Sequence, residues 1–329
     1  MATANLLTPP TTITPPTALA LSQKAPLILA SPPTSTLPWP LSLLFTRETP
    51  ESWTIHENLL LAALRTGDDA TARSLLDRLT ARFGGTNERI VALRGIYEEA
   101  LAGSDAELEK VFEGYEKVLK EDATNFGVRK RRVAVLKSLG RVGDAITALT
   151  VLVENSPTDA EAWAELGELY AVAGAWGQAI FCLEEVLLYM PNAWSAHAQL
   201  ATLHYLSAPA SLPALALALR HFSRAVELNS SSLRGLYGLK LIAQKLIPLL
   251  PQSQSQSQSV SKRNNNNNNP TDDDDLPPPN LSTVQKLEEI ATSKLAEIVR
   301  LYTAGKSGWT GFDEAEVQAA RELLGKAER

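Results

Sequence analysis

From Trp53 to Ile247 apolar residues recur at intervals of three and four. Short clusters of Gly, Pro, Asn and Asp interrupt them at regular distances. That period predicts amphipathic helices rather than strands. The interruptions divide the region into alternating first and second helices of a repeat. First helices are expected over 53–66, 88–100, 126–139, 159–173, 194–206 and 233–247, and second helices over 68–83, 105–120, 143–155, 176–189 and 213–228. Gly67, Gly140 and Gly174 stand at turns inside the pairs, where the left-handed backbone of a helix end costs little only for Gly. Beyond 280, Ser282-x-x-Gln285 reads as a capping box opening a helix to about Thr303. Asp313-x-x-Glu316 reads as a second, opening a last helix to about Leu324.

Residues 160–193, AEAWAELGELYAVAGAWGQAIFCLEEVLLYMPNA, carry the most complete unit. Trp163-x-x-Leu166-Gly167-x-x-Tyr170, then Ala179-x-x-x-Leu183, Val186 and Pro191, is the tetratricopeptide pattern at its 34-residue length, with Leu in place of the usual Phe. Trp163, Leu166 and Tyr170 form one stripe of the first helix. Gly167 and Ala179 are small, so two antiparallel helices can approach closely. The small second-helix position places the other units in register at Ala72, Val111, Ala145, Ala179 and Ala218, separated by 39, 34, 34 and 39 residues. The longer spacings imply insertions near 101–105 and 208–213. Proline supports the frame: ten of the 20 lie in residues 1–50 and six from Pro248 to Pro279. Of the remaining four, Pro157 and Pro191 end second helices and Pro209 and Pro213 fall in an insertion, since proline is excluded from helix interiors.

The chain is therefore expected to be all-α, a tetratricopeptide-repeat superhelix (an α-solenoid) over 51–250, closed by capping helices over 281–329. Residues 1–50, rich in Pro and Thr with three charges, are expected to be a disordered extension, a targeting or docking segment being the alternative. They contain one arginine, Arg47, and no long apolar core preceded by basic residues, unlike a presequence or signal peptide. Residues 251–280, with a Ser-Gln run, six asparagines and four aspartates, are expected to be a disordered internal loop, because little there could be buried to offset ordering. The Asp run lacks the Gly and terminal Glu of a calcium loop.

Composition removes function classes more than it adds them. One cysteine among 329 residues excludes an intramolecular disulfide framework and a Cys-rich zinc site. A net charge of −6 gives no basic footprint for nucleic acid, and no apolar run is long enough to span a bilayer. No P-loop, dinucleotide fingerprint or nucleophile elbow occurs, so no enzyme, cofactor, catalytic residue or metal site is expected. His197 and His204 lie two turns apart on one helix, too far for one metal. His56 and His197 share the fourth repeat position, where packing is the simpler reading. Cys182 reads as an inert packing residue. The basic run Arg129-Lys130-Arg131-Arg132 points in four directions around a helix. Arg131 shares the sixth repeat position with Glu165, so a charge ladder between adjacent first helices is expected, with partner binding and nuclear import as alternatives. By repeat position alone, Lys130, Arg131, Glu161, Glu165, Glu168, Gln199 and Thr202 are candidate partner-binding residues on the inner face.

Ala162-Trp163-x-Glu165-Leu166, the run Phe181–Leu188 (FCLEEVLL), Pro191, Arg220-x-Phe222-x-x-Ala225-Val226-Glu227-Leu228-Asn229 and Leu236-Tyr237-Gly238-Leu239 together resemble the family of subunit 2 of the endoplasmic reticulum membrane protein complex. The resemblance covers about residues 53–247. It implies a non-enzymatic scaffold subunit, peripheral on the cytosolic face of the endoplasmic reticulum. Such a subunit binds cytosolic segments of membrane-spanning subunits and a soluble subunit of an insertase for tail-anchored and multipass proteins. The alternative is a soluble tetratricopeptide adaptor or co-chaperone. The carboxylate clamp of such co-chaperones is missing, since Glu57, Leu61, Val91 and Gly95 occupy clamp positions in the first two units and only Lys130 in the third fits.

Overall fold

The structure, a computed structural model, describes residues 6–8, 13, 15–30, 50–250, 279–309 and 311–326. It is an all-α repeat helical solenoid that divides into two compact units, Met1–Ala148 and Leu149–Arg329. The helices are α1 (Pro15–Ser22), α2 (Ala25–Leu29), α3 (Pro50–Thr66), α4 (Asp69–Phe83), α5 (Glu88–Leu101), α6 (Asp105–Glu121), α7 (Phe126–Ser138), α8 (Val142–Asn155), α9 (Ala160–Val172), α10 (Trp176–Tyr189), α11 (Trp194–Ser207), α12 (Leu212–Leu228), α13 (Leu233–Leu246), α14 (Leu281–Thr303) and α15 (Glu314–Lys326). The division falls within α8.

The repeat frame has a physical basis at each level. Side-chain caps fix several helix starts: Asp68 accepts from the Thr71 amide, Asn125 from Val128, and Asp159 from Glu161 and Ala162. Gly67, Gly140 and Gly174 take φ of 71°, 70° and 74° at the turns inside the pairs. Ala72, Ala145, Ala179 and Ala218 are fully buried, each a small residue at a helix crossing. Val111 departs from this pattern and is half-buried. In that pair the close approach is made instead by Gly95, which lies under the ring of the buried Tyr115.

In the first unit, α1 and α2 lie where extended chain was expected. Ala18, Leu21 and Ala25 are buried, α1 packs on α3, and α2 lies against α4. Asn58 donates to the carbonyls of Leu6 and Leu7, and Arg78 to those of Ile28 and Leu29. The prolines are concentrated on either side of this stretch. Within 17–30 the only one is Pro26, in the first turn of α2, where a missing amide costs nothing. These helices cover the apolar face that a terminal repeat leaves open. The rest of the N-terminal extension lies outside the described residues.

In the second unit the helix that packs on α13 in the manner of a second helix is, among the described residues, α14. It takes that place from beyond residue 280, joining Val284 and Ala291 to Leu239, Ile242 and Leu246, and Leu295 and Ile298 to Leu233 and Leu236. Almost all of the loop expected at 251–280 lies outside the described residues. The predicted cap of α14 is corrected: Asn280, not Ser282, is the N-cap, and its side chain accepts from the Ser282 amide at 3.2 Å. Asn is as good a cap as Ser and sits two residues earlier, so the helix starts sooner. Asp313 caps α15 as expected, through the Ala315 amide at 2.7 Å.

Candidate interaction surfaces

The basic run on α7 does not form one face. Lys130 lies over the ring of Phe126, with 5.3 Å from Nζ to the centroid, and Arg132 pairs with Glu116. Arg131 turns toward α5, where its Nε donates to Glu99 Oε1 at 3.0 Å and a second guanidinium nitrogen reaches Oε2. The Tyr115 hydroxyl donates to the same carboxylate. Burial, reinforced by the Glu99 charge, pushes the Tyr115 phenol well above its usual range. Arg131 thus joins first helices of adjacent repeats, as a ladder residue would, through Glu99 of the preceding repeat. Arg131→Glu is expected to lower the stability of the first unit by about 2 kcal/mol, less than for a fully buried pair because the side chain is partly solvated. Lys130→Glu should leave it nearly unchanged, and urea unfolding midpoints compare the two. Equal midpoints would show that the Glu99 pair has no structural weight.

In the second unit, Glu161 and Glu168 on α9 are exposed and Glu165 is half-buried. The Thr202 hydroxyl donates to the Ala198 carbonyl of its own helix at 2.8 Å. Gln199 is exposed and lines a polar groove of about 410 Å³ with Trp194, Asn229, Arg234 and Glu316, where Arg234 pairs with Glu316 at 3.2 Å. Of the candidate residues only Gln199 lies in this groove.

A larger groove, about 630 Å³, was not foreseen. It is lined by Val153, Trp163, Leu166, Tyr170, Phe181 and Cys182, with Thr150, Glu154 and Gln178 at its polar edge. The stripe Trp163, Leu166, Tyr170 forms one wall. Trp163 is fixed by an Nε1–H bond to the Pro157 carbonyl at 2.7 Å and meets Phe181 edge-on, with centroids 6.0 Å apart. Phe181 is 53% exposed, unusual for a large aromatic side chain. The available signal was the phenylalanine one position beyond the helix–helix contact face, on a second helix that also leaves Leu188 72% exposed. Cys182, beside it, is a packing residue: it is buried, and burial pushes its thiol up to about 11.

The histidines divide. His56 is 8% exposed, its Nδ1 lies 2.6 Å from the Ser52 carbonyl, and its ring lies 5.2 Å from that of Trp53. Burial holds it below its ordinary pKa, as expected of a packing residue. His197 instead faces His221 of α12, and the His204 ring lies nearly parallel to that of His221 with centroids 5.7 Å apart. No group of three or more His, Cys, Asp or Glu among the described residues could hold a metal ion. No helix among them is long and apolar enough to cross a membrane.

Comparison with known proteins places these surfaces in a family. The EMC2 TPR-like repeat domain matches residues 87–219, which contain the whole Trp163–Phe181 groove. The ER membrane protein complex subunit 2-B of Xenopus laevis is 37% identical over 187 residues, 57% of this chain and 61% of that protein. The TPR repeat protein oca3 of Schizosaccharomyces pombe is 31% identical over 199 residues, 60% of this chain and 69% of that protein. ER membrane protein complex subunit 2 of Dictyostelium discoideum is 29% identical over 144 residues, 44% of each chain. The chain thus spans about three fifths of the length of the Xenopus relative. The chain belongs to the EMC2 family of TPR-repeat proteins.

Proposed function

We propose that this protein is a non-enzymatic scaffold subunit of an endoplasmic reticulum membrane protein complex. In this reading it lies peripherally on the cytosolic face and binds cytosolic segments of membrane-spanning and soluble subunits, supporting insertion of tail-anchored and multipass proteins. The observation that carries the reading is the apolar Trp163–Phe181 groove inside the family-matched region. An exposed aromatic wall beside a polar edge suits an apolar segment presented on an extended or helical chain. The relatives named as complex subunits support the choice of partners.

Two outcomes follow for the protein expressed in cells. The wild type should sediment with membranes and be released by alkaline carbonate, as a protein held by partners is. Phe181→Asp, which places a charge in the groove wall without touching the helix crossing at Ala179, should shift most of the protein to the soluble fraction. A wild-type protein that is soluble throughout, or a Phe181→Asp variant that sediments equally, would contradict the reading.

A further inference from the structure

His197 sits in the first turn of α11 and His221 in the middle of α12, and the two Nδ1 atoms lie 3.2 Å apart. His197 Nε2 lies 3.1 Å from the Pro191 carbonyl oxygen. A carbonyl only accepts, so Nε2 must carry the proton and Nδ1 of His197 must present a lone pair toward His221. A ring N–H held by a backbone carbonyl is the support that metal-ligating histidines usually have. The His197 and His221 rings are both half-buried.

We propose that His197 and His221 form a two-imidazole chelate for a borderline divalent transition-metal cation, with Zn²⁺ as the reference ion. Zinc–nitrogen bonds of ~2.0–2.1 Å at the tetrahedral angle put two donor nitrogens ~3.3 Å apart, close to the spacing present here. Without metal, the His221 Nδ1–H donates to His197 Nδ1. Binding requires only that the His221 proton move to its own Nε2, giving two neutral donors and no net change in charge. His204 stacks on His221 with an interplanar angle of 13°. Water or a partner's side chain completes the coordination. Imidazole donors favour Cu²⁺ over Zn²⁺ in the usual order, and Mg²⁺ and Ca²⁺ should not bind there.

The test is calorimetric titration of the full-length protein with Zn²⁺ at pH 7.5 in a non-chelating buffer, together with its His197→Gln, His221→Gln and His56→Gln variants. One equivalent is expected to bind the wild type and His56→Gln alike, and to bind each of the other two at least ~10-fold more weakly. Should either variant misfold by circular dichroism, protection of the wild-type His197 and His221 rings by Zn²⁺ against diethylpyrocarbonate, read by mass spectrometry, gives the answer. Absence of saturable binding, equal binding to His221→Gln, or unprotected rings would overturn the proposal.

Discussion

Gly238→Ala is expected to destabilise the C-terminal unit by about 3 kcal/mol, at the upper end of the cost of overpacking. A Cβ at this position would fall 2.2–2.7 Å from three ring carbons of Phe222. Phe222 is itself buried between α12 and α13, and a phenyl ring there cannot bend away as a long flexible chain could. The internal comparison is Gly114, in the middle of α6, where an added methyl meets nothing within 4 Å. There Gly→Ala should be stabilising by about 0.5–1 kcal/mol, because only the helix-propensity difference remains. Gly167 lies between these, with the nearest contact at 3.2 Å to Cys182 Cβ. Amide hydrogen exchange across α12 and α13 reads the effect locally, which matters in a chain of two compact units that need not unfold together. Equal protection in Gly238→Ala and wild type would contradict the close packing described for this pair.

The second large effect lies where α14 docks on α13. Lys240 is 1% exposed, and its ammonium bonds Glu288 Oε1 at 2.7 Å and Thr292 Oγ1 at 2.5 Å. Gln244 donates to the same carboxylate oxygen at 3.3 Å. Removing the Glu288 charge leaves a buried ammonium without its counter-ion. Glu288→Gln should therefore cost about 3 kcal/mol and release α14 first, seen as lost exchange protection over 281–303. The double variant Lys240→Met with Glu288→Leu should recover most of that loss, because an apolar pair of similar volume carries no desolvation cost. Acid should act in the same way as the single variant. Burial raises the Glu288 carboxyl, but the bonds from Lys240 and Thr292 outweigh it and hold the group below its ordinary value of 4.5. A carboxyl depressed in the folded state gives stability that is full above its unfolded pKa and lost as the pH falls through the folded one. Loosening of α14 should thus begin below about pH 4.5 in the wild type and be reduced in the double variant. A wild type and double variant with identical acid profiles would show that the pair does not hold the cap.

Much of this architecture could be read from local rules. The helices of the repeat follow from apolar period, caps and the glycines at 67, 140 and 174, each of which depends on a few neighbouring residues. The close crossing at Gly167 and Ala179 followed from size alone. What escaped depends on distant parts of the chain. The helices at 15–29 were masked by the prolines around them, although Ala18, Leu21, Ala25 and Ile28 already carried helical spacing. The Lys240–Glu288 pair joins residues separated by 48 positions. The approach of His221 to His197 required the pairing of α11 with α12, and along one helix His197 and His204 had appeared unconnected. The basic run does point in separate directions, but Arg131 pairs with Glu99 of the repeat before it, whereas the acidic row that suggested the ladder lies in the repeat after it. The Trp163–Phe181 groove was hidden because Phe181 looked like one more apolar residue of a second helix.

The scaffold reading is tested most directly by affinity purification of the tagged full-length protein from solubilised membranes, with Phe181→Asp in parallel and quantitative mass spectrometry of what co-purifies. The wild type should recover membrane-spanning and soluble subunits of an endoplasmic reticulum membrane complex in near-constant proportion, and Phe181→Asp should lose a subset of them while remaining folded. Recovery of chaperones alone, or of no membrane-complex subunit from a folded wild-type protein, would contradict it.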